Sequence, residues 1–108
     1  MALKPHQIGL VENDTKPLKI DFQDDRTGCV VKLHIKYPNE IVTVDCEAID
    51  ASEGTFYCRF QHGDLRPGTV NYEIETTYLT GEVETCNRIS ENGIKGKLLE
   101  FVIDPEIA

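Results

Sequence analysis

Basic residues are scarce: eleven Lys and Arg stand against nineteen Asp and Glu, giving a net charge of -8. Phosphate backbones are bound by Lys and Arg that neutralise them, so the composition argues against nucleic acid as a partner and assigns the acidic balance to solubility. Long apolar runs are absent too. The chain nowhere approaches the roughly eighteen consecutive apolar residues of a membrane-spanning helix, and Met1-Ala2-Leu3-Lys4-Pro5 has no signal-peptide character. The expectation is a soluble protein, made in the cytoplasm, with no membrane partner. No internal repeat, low-complexity tract or extended stretch of helical periodicity is present.

Catalytic and metal-binding motifs are also missing. Cys29, Cys46, Cys58 and Cys86 match neither a zinc-ligand spacing nor a CxxC redox pair. There is no glycine-rich phosphate loop, no HExxH and no nucleophile elbow. His6, His34 and His62 fall in the N-terminal segment, on an outward strand face and in a loop, while Ser52 and Ser90 sit in turns where a hydroxyl caps backbone groups. The expectation is a non-catalytic protein without metal or cofactor.

What the chain does have is alternation. Between Glu40 and Glu84, Val42, Val44, Cys46 and Ala48 share one face; Phe56, Cys58 and Phe60 share another; Val70, Tyr72, Ile74, Thr76 and Tyr78 a third. Period two marks strands buried on one side. The runs are separated by turn-forming stretches at Asp50–Gly54, His62–Gly68 and Thr80–Gly81, the last read as a two-residue hairpin turn and Pro67-Gly68 as part of a type II turn. Further strands are predicted at Leu18–Phe22, Cys29–Tyr37, Glu82–Ile89 and Lys97–Ile103, with a tight turn at Pro38-Asn39 and a wider loop over Ser90–Gly96. Several short strands at this spacing predict an all-β fold, an antiparallel β-sandwich of about seven or eight strands. Residues 1–17 read as an extended N-terminal arm with a short edge strand at Ile8–Val11, and 18–108 as the sandwich domain.

Three features invite a functional reading. The acidic pair in Gln23–Gly28 lacks the ordered oxygen ligands of a cation loop, and Glu73, Glu75, Glu82 and Glu84 read as a solvated strand face. Cys46 and Cys58 lie inward on neighbouring strands; the expectation is free thiols packed as small hydrophobes, with a disulfide as the alternative. Ile8, Leu10 and Val11 of the arm are candidates for partner contact by strand addition. Tyr57, an outward aromatic, and His62, at a loop tip, are the remaining candidate surface contacts, and a carbohydrate- or ligand-binding module using the loops His62–Gly68 and Ser90–Gly96 is the alternative function.

The series TGCVVKL, DASEGTF, DLRPGTVNYEIE and LTGEVET resembles the N-terminal Ig-like domain of phage upper-baseplate proteins. Thr27-Gly28 with Leu33, Asp50 with Gly54 and Phe56, and Pro67-Gly68 with Tyr72, Ile74 and Gly81 carry the likeness, which spans roughly residues 18 to 103. The resemblance implies an Ig-like β-sandwich with a structural role, attaching fibre or receptor-binding components to a baseplate or tail. It implies other virion proteins as partners, homo-oligomerisation as a possibility, location in the virion after synthesis in the host cytoplasm, and no catalytic residues. Proteins of that family continue into helical and fibre-linking regions, whereas this sequence ends at Ala108.

Overall fold

The computed structural model describes residues 7–86 and 100–105. Over these residues the chain is all-β, with eight strands and no helix: β1 (Gln7–Val11), β2 (Leu18–Asp21), β3 (Val30–Tyr37), β4 (Glu40–Asp50), β5 (Thr55–Cys58), β6 (Gly68–Thr77), β7 (Val83–Cys86) and β8 (Glu100–Asp104). They form one mixed, curled sheet in the order β1-β8-β6-β3-β4-β5-β2, with β7 on β6 beside the end that β8 leaves free. β1 and β8 run parallel; the other pairs are antiparallel. The expected loop over Ser90–Gly96, the residues Asn87–Ile89 and Lys97–Leu99 of two expected strands, and the first six residues of the arm lie outside the described residues.

The alternation in the sequence sets the inner face. Val31, Leu33 and Ile35 of β3, Val70, Tyr72, Ile74 and Thr76 of β6, and Phe101 and Ile103 of β8 are all buried. They meet Ile20 of β2 and Phe56 and Cys58 of β5 in a single core, completed by Phe22, Phe60 and Leu65 from the connections. Each buried Val, Leu, Ile or Phe among them contributes roughly 1.5–3 kcal/mol by leaving water. Tyr72 stacks on Phe101 with centroids 4.2 Å apart, and Phe60 meets Phe101 edge-on. Phe22 meets Phe56 edge-on at 5.7 Å.

The curl depends on β4. Its first residues pair with β3 and its last with β5, so this 11-residue strand carries the sheet from one half to the other. Between Ala48 and Asp50 the register to β5 shifts: Ile49 is the extra residue of a bulge and is left exposed. Bulges bend a strand and increase its twist, and here the sheet turns over its own inner face.

At Cys46 and Cys58 the expectation of free thiols is corrected. The two residues are direct partners across β4 and β5 and are joined by a disulfide, with Cα atoms 4.5 Å apart. That spacing belongs to a pair between, rather than within, the ladder hydrogen bonds, where side chains come closest. Cys29 is a free, half-buried thiol.

Within the arm, Gln7–Val11 lies along β8 in register from Gln7 opposite Glu100 to Val11 opposite Asp104. The Glu12 N–H donates to the Asp104 carbonyl at 2.9 Å, extending the contact. Ile8 and Leu10 pack against the molecule's own core, and Val11 is exposed.

Candidate functional site

Two braces hold opposite ends of the sheet. The first is built on Arg26, in the connection from β2 to β3. Gln23, at φ 58°, turns the chain, its N–H donating to Asp21 Oδ1, while Asp25 Oδ1 accepts the N–H and hydroxyl of Thr27 at 3.0 and 2.6 Å. Within the second of these side-chain-capped turns Arg26 points inward and is 5% exposed. A buried charge is tolerated only with partners, and the guanidinium has several. Its Nε and Nη2 donate to the two carboxylate oxygens of Asp24, and Nη1 donates to Thr76 Oγ1 and pairs with Glu84 Oε1, both at 2.9 Å. The guanidinium carbon lies 3.9 Å from the Phe22 ring centre and 5.6 Å from that of Tyr78. Burial opposes its charged form, but the bonds to Asp24 and Glu84 outweigh this and hold its pKa above the ordinary arginine value. Backbone bonds from Arg26 N to Ala51 O and from Phe22 N to Gly54 O add the β4–β5 turn to the same brace.

Beside it stands the β6–β7 turn. The Tyr78 N–H donates to the Glu82 carbonyl and the Gly81 N–H to the Tyr78 carbonyl, at 2.8 and 2.9 Å, with Gly81 at φ 88°. This is a three-residue loop, Leu79-Thr80-Gly81, with glycine in the left-handed position after a type I turn, and it replaces the expected two-residue turn. Between this turn and the β2–β3 connection lies an open hollow of about 400 Å³, with Asp25 and Cys29 on one side and Tyr78, Leu79 and Glu82 on the other.

The second brace is at the other end of β3. The Tyr37 hydroxyl donates to the Asp64 carbonyl and accepts the Arg66 N–H at 3.0 Å. Arg66 lies over the Tyr37 ring, pairs with Glu40 at 2.9 Å and donates to the Gly63 carbonyl. Burial raises the Tyr37 pKa, while the hydrogen bond to Arg66 holds the Glu40 carboxyl below its usual value. Gly63 N also donates to Asn13 Oδ1, tying in the β1–β2 connection. Gly68, expected in a type II turn, opens β6 opposite Ile103 with φ 136°.

The candidate contacts are spread over the molecule. Ile8 and Leu10 face the core and Val11 is exposed at the end of β1. Tyr57 is half-buried on β5, in register between Glu47 of β4 and Lys19 of β2, while His62 is exposed at the tip of the β5–β6 loop. The glutamates on the β6–β7 side have separate partners: Glu73 contacts Lys36, Glu75 lies 3.6 Å from His34 Nε2, and Glu84 is held by Arg26. The His34 contact is ionic only when the imidazole is protonated; its Nδ1 is 2.8 Å from Thr43 Oγ1. No group of His, Cys, Asp and Glu among the described residues is arranged to hold a metal ion. No protein-family model and no curated protein matches the chain.

Proposed function

We propose that the chain is a non-catalytic structural module of a phage virion, located in the baseplate or tail, that attaches fibre or receptor-binding components. In this reading the two halves of the curled sheet are the layers of an Ig-like β-sandwich, and β1 is an added parallel edge strand. The observation that carries it is the pair of terminal strands: among the described residues β1 and β2 each have one neighbour in the sheet order, so each offers a second backbone edge. An edge strand of this kind accepts a partner's extended segment through main-chain hydrogen bonds. The strand and turn series that resembles upper-baseplate proteins supports the setting. So does the Cys46–Cys58 bridge, since disulfides persist at virion surfaces and are rare in the cytosol where the chain would be made.

Antibody labelling of purified particles of a phage that encodes the chain, viewed by negative-stain electron microscopy, tests this. Label should collect at the tail or baseplate. Particles that carry no label, from preparations in which the antibody recognises the denatured chain, would sink the proposal.

A further inference from the structure

The end of the molecule beside the Arg26 brace combines exposed apolar side chains with carboxylates that have no ion-pair partner among the described residues. Leu79 is 82% exposed at the lip of the hollow. Val30, Thr77 and Val83 follow one another in register across β3, β6 and β7, and both valines are more than half exposed. Isolated exposed apolar residues are ordinary on protein surfaces, but three at one end of the sheet, Leu79 over the hollow and the two valines on the outer face, mark a contact region. The backbone geometry holds this lip in place. Gly28 sits so close to Leu79 that an added Cβ would lie 2.8 Å from Leu79 Cδ1, which sets the β2–β3 connection against the β6–β7 turn.

Charge decides what such a surface accepts. Of the four carboxylates here, Asp24 and Glu84 are taken up by Arg26. Asp25 and Glu82, on the two sides of the hollow, have no ion-pair partner among the described residues. The hydrogen bonds from Thr27 lower the pKa of Asp25, so it remains ionised at neutral pH. The hollow therefore has carboxylates on both sides, with Tyr78 and Leu79 as its aromatic and aliphatic wall. A long cationic side chain matches this combination, because its methylene stem lies on apolar surface while its head reaches the carboxylates. A second copy of this chain, with a net charge of -8, is a poor match.

We infer that this end is a docking surface for a partner-protein segment that places a lysine or arginine between Asp25 and Glu82 and a large aliphatic side chain against Leu79. The inference rests on the reading of the chain as an interaction module and specifies the chemistry of one partner. It differs from strand addition, because side chains at the end of the sheet, and not the backbone edges of β1 or β2, make the contact.

The test is a titration of the isotope-labelled full chain, followed by amide chemical shifts, with three synthetic peptides: Ala-Lys-Leu-Lys-Ala, Ala-Ser-Leu-Ser-Ala and Ala-Glu-Leu-Glu-Ala, all with blocked ends. The lysine peptide should move the amides of Cys29, Leu79, Thr80 and Glu82 in a saturable way. Its affinity should fall by about fivefold or more in Asp25→Asn/Glu82→Gln, the scale of two exposed ion pairs. It should fall again when ionic strength rises from about 0.1 M to about 1 M and the screening length shrinks from about 10 Å to about 3 Å. Equal binding of the serine or glutamate peptide, shifts confined to β1 or β2, or no shift at all would each overturn the inference. The double variant changes exposed side chains only, and an unchanged spectrum away from the site confirms its fold. These outcomes do not depend on where the chain resides, so a negative result here with labelled particles would reject the docking surface alone.

Discussion

Gly54→Ala should be among the most damaging single-methyl additions to this molecule, and Gly81→Ala is its control. Both glycines lie in turns at positive φ, 74° and 88°. An L-residue there costs about 1–2 kcal/mol from contact of its Cβ with its own backbone. The surroundings differ. Nothing lies within 4 Å of a Cβ built on Gly81, whereas one built on Gly54 would be 2.5 Å from the Asp24 carbonyl oxygen and 2.9 Å from Phe22 Cβ. Those atoms cannot move freely, because Phe22 N donates to the Gly54 carbonyl, Arg26 N donates to the Ala51 carbonyl, and the Arg26 guanidinium is bonded to Asp24. Forcing a methyl group into such a contact adds about 1–3 kcal/mol. After the smaller entropy of the unfolded alanine chain offsets part of the strain in both, the total is about 2–4 kcal/mol for Gly54→Ala against about 1 kcal/mol for Gly81→Ala. Urea unfolding of both variants under reversible conditions measures the difference. In a thermal melt each kcal/mol corresponds to roughly 4–8 °C for a domain of this size, so Gly54→Ala should fall at least twice as far as Gly81→Ala. Equal losses would mean that the β4–β5 turn does not approach the β2–β3 connection this closely and that the Arg26 brace does not fix it there.

Arg26→Met should cost about 2–4 kcal/mol in the same assay, somewhat less than loss of a fully buried ion because half-exposed Asp24 and Glu84 regain water. Arg59→Met, which removes an exposed pair with Glu47, should stay within about 0.5 kcal/mol; equal effects would refute the brace. Reduction of the denatured protein should increase the count of reactive thiols by two, and no increase would mean that Cys46 and Cys58 are unbridged. Closing a loop of this length contributes up to about 3 kcal/mol, so reduced protein should melt measurably lower. Burial raises the pKa of Tyr37 and of Tyr78 in the folded state. Each phenol therefore contributes stability that is complete below its unfolded pKa of about 10 and is lost as pH rises through the folded value. Tyr37→Phe/Tyr78→Phe should flatten the stability curve above that pH, and an unaltered alkaline slope would remove the explanation.

The strands were legible in the sequence because each reports its own inner face. Val31, Leu33 and Ile35, or Val70, Tyr72, Ile74 and Thr76, need no knowledge of the partner strand to be placed. Pairing is a different kind of information. That β1 runs parallel to β8, or that β4 divides its length between β3 and β5, depends on residues far apart in the chain, and alternation looks the same for either arrangement. The disulfide lies between these cases: the sequence placed both sulfurs inward on adjacent strands, but bonding distance required the register set by the Ala51–Gly54 turn. Arg26 was hidden altogether. In a loop beside two aspartates it reads as solvated, and its buried partner Thr76 lies 50 residues away. A local signal existed in retrospect: Phe22, two acidic residues and one arginine stand together before a strand, the ingredients of a cation held over a ring and charge-paired. The same sequestration shapes the proposed docking surface. The acidic pair of the Gln23–Gly28 loop and two glutamates of the strand face, read separately from sequence, re-sort once Arg26 folds inward, with Asp24 and Glu84 bound to it while Asp25 and Glu82 border the hollow. The contact chemistry of that surface follows from which charges the fold has already neutralised, and composition alone cannot supply that division.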